Sequence, residues 1–367
     1  MGCTSLDTTL ERREQGLGFR DGIRVISTDD LSRDAFESEH LVPKIPVIIT
    51  GCMESWQCYR EWTLDMDNTR VIHLEALAKV FGHVRAPVIN MTSGEKSCIL
   101  IRDYCSDTFW QSGSWRESMD KLYLKDFHFC IDVPDTRNAY ETPEYFQDDW
   151  LNAWFDSDDD GVRETFGSEF KKSDYRFLYA GPAGSQTQLH TDVLRSHSWS
   201  AQLAGTKQWK LLDPLYSSRV EDHHGICSRE SLSPNETGVM TVIQYPGEII
   251  FVPSGWYHEV VNVDNSLSIN HNWIDSSSLE ASWRYLVKEY DIATAMIEDC
   301  KAITSPHEFK HLVARNVLQN CGFHRESFLT MVQFVLRCTS STTHIAKRRQ
   351  AYGQDFLQSH ASSILSD

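Results

Sequence analysis

The sequence predicts a mainly β protein, a core of short strands in a sandwich or jelly roll with helices attached at both ends. Three observations predict it. Between residues 174 and 273 eight short runs of strand-forming residues follow one another, at 175–179, 186–193, 199–203, 207–212, 241–245, 248–252, 258–263 and 267–273. Gly, Pro, Asp and Asn punctuate them, as in all-β sandwiches and jelly rolls. After Trp273 the apolar spacing becomes helical, at 279–299, 307–320 and 326–338. Finally, 41% hydrophobic and 11% aromatic residues in a chain of 367 are globular composition with enough length for a sizeable core.

Taken in order, residues 1–40 read as a polar N-terminal segment with a short helix, and 41–173 as an α/β part packing on the core. A first strand is expected at 45–50, β-branched and ended by Gly51. A helix at 74–81, a strand at 87–89 and aromatic-rich helical pieces at 123–129 and 143–156 follow. The acidic run at 156–161 resembles a calcium loop only superficially, because the spaced ligands and closing Glu are out of register. Residues 174–275 form the β core, within which 213–240 is too long for a hairpin and reads as a surface excursion. Residues 276–338 are C-terminal helices, and 339–367 a polar tail expected to be disordered.

The formal net charge is −17, from 52 acidic and 35 basic residues. Such a surface repels phosphate backbones, so direct nucleic-acid binding is not expected; solubility or a basic protein partner accounts for it. The ten cysteines include no C-x-x-C, which argues against a zinc ribbon or a thioredoxin-type pair. The N-terminus lacks the apolar core of a secretion signal, and no run approaches the ~20 apolar residues of a membrane span. Leu6 stands where a myristoylation motif wants Ser or Thr. The expected setting is the cytoplasm or nucleus, with reduced thiols.

The chemistry concentrates in Gln188-Leu189-His190-Thr191-Asp192-Val193. Side chains two apart on a strand share a face, so His190 and Asp192 can project together. A lone H-x-D is weak; the weight comes from His258, which opens a strand after the Pro253-Ser254-Gly255 turn. Two imidazoles and a carboxylate on one side of a metal leave three adjacent positions open, the facial triad of non-haem Fe(II) oxygenases. The open positions suit a bidentate keto acid and O2. Lys207 is an ammonium inside a β core and needs an anionic partner, which the distal carboxylate of 2-oxoglutarate would supply. Thr187 lies three residues before His190, so its hydroxyl reaches the same site only if the strand bends there. Asn270 puts an amide on a strand that should be apolar inside, and a buried amide requires partners. Structural roles compete with each reading: core histidines, a solvent-facing Lys207, and a purely hydrogen-bonding Asn270.

The run 175–273 resembles the JmjC family. Its motifs are His190-Thr191-Asp192, Gly205-Thr206-Lys207-Gln208-Trp209, Pro246-Gly247-Glu248, and the segment from Val252 to His258. The earlier Pro46-Val47-Ile48-Ile49-Thr50-Gly51, with Trp56 and Trp62, resembles the N-terminal module of the hydroxylase branch. The resemblance covers roughly 40–340 and thins at 213–240 and in the tail. It implies a double-stranded β-helix (jelly-roll, cupin-like) with flanking helices. It implies Fe(II) held by His190, Asp192 and His258, and 2-oxoglutarate as co-substrate with O2. It implies a salt bridge from Lys207 to that co-substrate, with Thr187 and Asn270 assisting. The implied reaction is hydroxylation of a lysine side-chain carbon, with the eukaryotic translation-termination (release) factor as protein substrate.

Two readings compete. A JmjC lysine demethylase would use the same centre, although no chromatin-reader or zinc module accompanies the β core. A non-catalytic cupin-like binding module would not need both the triad and Lys207. The C-terminal helices suit either a homodimer interface or a cap on the core, and periodicity does not choose.

Overall fold

All eight runs between 174 and 273 are strands in the computed structural model, which describes residues 18–106, 110, 121–157, 174–222, 227–338 and 344–365. Expectations for residues 1–17, for 158–161 of the acidic run, for 223–226 of the excursion and for 339–343 of the tail lie outside the described residues. Upstream come β1 (Gly18–Arg20), β2 (Ile23–Ser27), β3 (Val47–Thr50), β4 (Thr63–Met66), β5 (Thr69–Ile72), β6 (Arg85–Asn90), β7 (Lys96–Leu100) and β8 (Leu122–Phe127). The core runs are β9 (Arg176–Gly181), β10 (Gln186–His190), β11 (His197–Ala204), β12 (Lys207–Leu212), β13 (Val239–Gln244), β14 (Glu248–Val252), β15 (Tyr257–Asn262) and β16 (Ser266–Trp273).

Among the described residues a ten-stranded sheet runs β1-β2-β3-β14-β11-β16-β9-β8-β6-β7, and a four-stranded sheet runs β10-β15-β12-β13. Apart from the β12–β13 pair, successive core strands alternate between the two sheets. That alternation is the winding of a double-stranded β-helix. Ile48, Ile250 and Val252 of the larger sheet pack with Trp209, Leu211, Val242 and Val260 of the smaller, all buried. The alternation of apolar and polar residues along each strand creates this shared layer. Ile250→Ala should cost about 2–5 kcal/mol, because Ile250 is fully buried and its neighbours cannot close the void. A urea-unfolding midpoint unchanged from wild type would contradict it.

Three local readings are corrected. Residues 123–129, expected to be helical, lie mostly in β8, which bonds to β6 and β9. Asp126 at φ 60° and a register shift between Leu124 and Phe127 break the alternation that would have revealed the strand. The polar first segment contains β1 and β2, and β2 pairs in parallel with β3. The run expected as a strand over 186–193 ends at His190. Glycine is required where Gly205 turns into β12 (φ 69°): a Cβ there would stand 2.1 Å from the Asn265 carbonyl oxygen.

The helices are α1 (Leu74–Phe81), α2 (Trp150–Asp156), α3 (Leu279–Met296), α4 (Pro306–Cys321), α5 (Arg325–Cys338) and α6 (His344–Leu365), with several shorter turns. Helix α6 occupies most of the tail expected to be disordered. Helix α4 carries a capping box, Ser305 with Glu308, and ends at Gly322 with φ 73°. None of these helices is long and apolar enough to cross a membrane. The described cysteines are free thiols.

The chain divides into two compact units. The first, residues 1–145, 176–191 and 198–271, holds the sheets. The second, residues 146–175, 192–197 and 272–367, is mainly helical. Its interior is aromatic, with Trp154 against Phe334 and Phe155 against Phe323 at ring separations of 5.4 and 5.6 Å. Asn152, almost fully buried, ties it internally: its amide accepts from the Tyr175 N–H (2.8 Å) and donates to the Asn272 carbonyl (3.0 Å).

Candidate metal centre and co-substrate site

Strands β10 and β15 pair antiparallel, and His190 and His258 are direct cross-strand partners. This pairing brings together two residues far apart in sequence, with ring centroids 4.3 Å apart. Asp192 follows in extended backbone (φ −60°, ψ 154°), so the two-residue alternation continues past the strand end. One ligand atom from each of His190, Asp192 and His258 lies within 4.8 Å of the others.

The histidine orientations suit a metal. His190 Nδ1 meets the Gln188 carbonyl at 2.8 Å, and His258 Nδ1 meets the Trp256 carbonyl at 3.2 Å. A carbonyl accepts only, so each Nδ1 is the protonated nitrogen and Nε2 carries the lone pair for a metal. Two neutral imidazoles and one carboxylate are an Fe(II) donor set. His258 is buried beside Trp209 (5.7 Å between rings), whereas His190 and Asp192 are half-buried, so one side of the centre faces outward.

The β10–β15 register slips by one between Thr187 and His190. This is the bend that the sequence required before Thr187 could serve the same site. Thr187 hydrogen-bonds Tyr123, as does Asn262. Burial pushes the Tyr123 phenol up to about 12, against the downward pull of those hydrogen bonds.

Lys207 is 2% exposed and donates to Ser268 Oγ at 2.5 Å. Among the described residues no carboxylate pairs with it, and burial lowers its ammonium to about 7. The solvent-facing alternative for Lys207 is therefore excluded. Ser268 Oγ donates in turn to Asn270 Oδ1 (2.9 Å), which also accepts from Ser200 Oγ (3.1 Å). With its oxygen engaged twice, Asn270 offers its N–H groups as donors, and Lys207 is oriented through a relay rather than neutralised. A buried cation lacking a charged partner is what an anionic co-substrate requires.

Three residues here were not singled out by the sequence. Ser268 shares the inward face of β16 with Asn270, a signal the two-residue alternation carried. Asn262 shares the face of His258 and is the cross-strand partner of Lys207, a similar signal. Tyr123 gave none, because its bulged strand read as helix.

The family described as "JmjC domain, hydroxylase" matches residues 177–273. The chain is 35% identical over 332 residues to "Arginine-specific demethylase JMJ20" of Arabidopsis thaliana, covering 86% of this chain and 70% of that protein. It is 33% identical over 339 residues to "2-oxoglutarate and iron-dependent oxygenase JMJD4" of Mus musculus, covering 86% and 75%. At 26% identity over 294 residues it is similar to "Bifunctional arginine demethylase and lysyl-hydroxylase psr-1" of Caenorhabditis elegans, covering 74% and 66%.

Proposed function

Because the chain belongs to the JmjC family of 2-oxoglutarate- and iron-dependent oxygenases, we propose that it hydroxylates a lysine side-chain carbon in a protein substrate, the eukaryotic translation-termination (release) factor. The observation that carries the oxygenase chemistry is the convergence of His190, Asp192 and His258, beside a strand, β12, that holds a buried Lys207 with no carboxylate partner among the described residues. The motifs of the β core and the relatives described as 2-oxoglutarate- and iron-dependent oxygenases support the reading. A net charge of −17 suits a basic target region. A cytoplasmic site of action follows from that substrate, with the nucleus as the alternative.

In this reading His190, Asp192 and His258 hold Fe(II) from one side, and the Asp192 carboxylate offsets part of its charge. The two Nδ1–H groups donate to backbone carbonyls, which fixes the ring planes and leaves each Nε2 lone pair for the metal. The Lys207 ammonium meets the distal carboxylate of 2-oxoglutarate, oriented by Ser268, while Thr187 and Asn270 supply further hydrogen bonds. When bound, the iron centre supplies oxidation of a substrate C–H bond by O2, coupled to decarboxylation of 2-oxoglutarate to succinate. The protein's part is to place the target carbon and exclude water.

Incubation with release factor, Fe(II) and 2-oxoglutarate should add one oxygen, about 16 Da, to a lysine-containing peptide, with matching succinate. The Arabidopsis relative's description as an arginine demethylase favours a second reading, hydroxylation of an N-methyl carbon followed by loss of formaldehyde. Mass loss from a methylated peptide, with no gain on an unmethylated one, would replace the first reading by the second.

A further inference from the structure

The described residues between β12 and β13, 213–222 and 227–238, fold back onto the outer face of the four-stranded sheet. Val220 and Leu232 of this excursion are buried with Leu189, Leu212 and Tyr257 of the sheet. Arg229 pairs bidentately with Glu236 (2.8 and 3.1 Å), and Arg219 donates to the Thr237 carbonyl (2.8 Å), so the segment is also cross-linked within itself.

Its polar ties fall on the chain neighbours of both histidines of the metal centre. His258 lies between Tyr257 and Glu259, which face outward because neighbouring residues of a strand alternate. Tyr257 donates its hydroxyl to Glu221 at 2.9 Å. Glu259, 6% exposed, accepts from Ser231 Oγ (3.0 Å), the Leu232 N–H (3.0 Å) and Lys210 Nζ (2.6 Å). Lys210 also donates to the Leu232 carbonyl at 2.8 Å. On β10, Leu189 precedes His190; its N–H reaches the Glu230 carbonyl at 3.4 Å, and its carbonyl accepts from Cys227 Sγ at 3.6 Å.

We propose that the excursion is a brace for the metal centre, with Glu259 as its principal positioning residue. The proposal rests on reading His190, Asp192 and His258 as the iron ligands. Strand β10 is an edge strand with β15 on one side only, and its register slips just before His190. An edge so placed would let the His190 ring drift by more than a metal tolerates. The excursion supplies contacts on the other edge, while Tyr257 and Glu259 lock β15 on both sides of His258. A lid would sit on few buried contacts and open readily. A satisfied buried polar cluster with an apolar layer beneath it holds still.

The test is anaerobic Fe(II) titration, the visible absorption of the Co(II)-substituted protein, and hydrogen exchange at residues 186–190. Glu259→Ala should weaken Fe(II) binding by about 10- to 100-fold, the usual effect of losing an outer support of a ligand. It should also shift the Co(II) bands and speed exchange in β10. Glu259→Gln should recover only part of the loss, since its one amide oxygen can replace the Oε1 that accepts from Ser231 and Lys210 or the Oε2 that accepts from the Leu232 N–H, but not both. Tyr257→Phe removes a single hydroxyl and should weaken Fe(II) binding by roughly 2- to 10-fold. Wild-type affinity and Co(II) bands in Glu259→Ala, with only the melting temperature lowered, would reduce the excursion to fold stabilisation and overturn the brace. If Glu259→Ala does not fold, Tyr257→Phe decides, and unchanged affinity overturns the proposal. Wild-type protein that fails to bind Fe(II), or binds it equally well after His258→Ala, would overturn the metal-site reading along with the brace.

Discussion

Asp192→Ala and His258→Ala should each lower 2-oxoglutarate turnover roughly a thousandfold, with the fold intact. Each removes one of three protein donors, and metal-derived stabilisation is worth several kcal/mol, with tenfold in rate for each ~1.4 kcal/mol. Asp192→Ala also removes the one negative charge in the donor set and leaves two neutral imidazoles to face a divalent ion. Asp192 is half-buried and its removal leaves no core cavity, so the melting temperature without metal should stay close to wild type. Succinate release and Fe(II) affinity, read in parallel, check the result. Substantial turnover in either variant would mean that the three side chains are not the iron centre.

Lys207→Met should greatly weaken 2-oxoglutarate binding while leaving the protein without co-substrate as stable as wild type, or more so. The ammonium is nearly fully buried, with the Ser268 hydroxyl as its hydrogen-bond acceptor among the described residues, so it carries a desolvation cost that a thioether of similar length does not. Breaking a buried charge pair typically costs about 3–5 kcal/mol, so the KM for 2-oxoglutarate should rise by roughly 10²- to 10⁴-fold, with kcat at saturation falling less. The same group sets a pH dependence. Burial lowers Lys207 to about 7 in the co-substrate-free protein, and a bound carboxylate raises it again. Binding therefore takes up a proton above pH 7, and affinity should fall as pH rises through that value. For folding the sign is opposite. The unfolded chain keeps its lysine protonated up to about 10.5, so the cost of burying the charge is full below pH 7 and fades as pH rises toward 10. Lys207→Met should lose both dependences. A KM unchanged by the substitution would remove Lys207 from the co-substrate site.

Much of this protein was legible in its residues. Eight core strands were readable because alternation with period two survives wherever one face of a strand is buried, as in Lys207, Trp209 and Leu211. His190 and Asp192 were readable because two-residue spacing fixes a common side, whether the backbone is in a strand or merely extended. The excursion was recognisable as an insertion, but its docking was not. Glu259, Tyr257 and Leu189 look like ordinary strand residues until the chain folds back over them. Tyr123 and α6 were missed for related reasons: a bulge hid the first, and a polar composition disguised the second.

Local sequence determined the donor types, their facing and the family likeness, because residue identity and strand parity are properties of a few adjacent positions. Only tertiary structure decided that His190 meets His258 across β10 and β15, and that Lys207 is buried with a hydroxyl for a partner. It also decided that the excursion backs the sheet that carries both histidines. Strand pairing over long separations is chosen by which register buries the shared apolar layer, and that choice belongs to the whole chain at once.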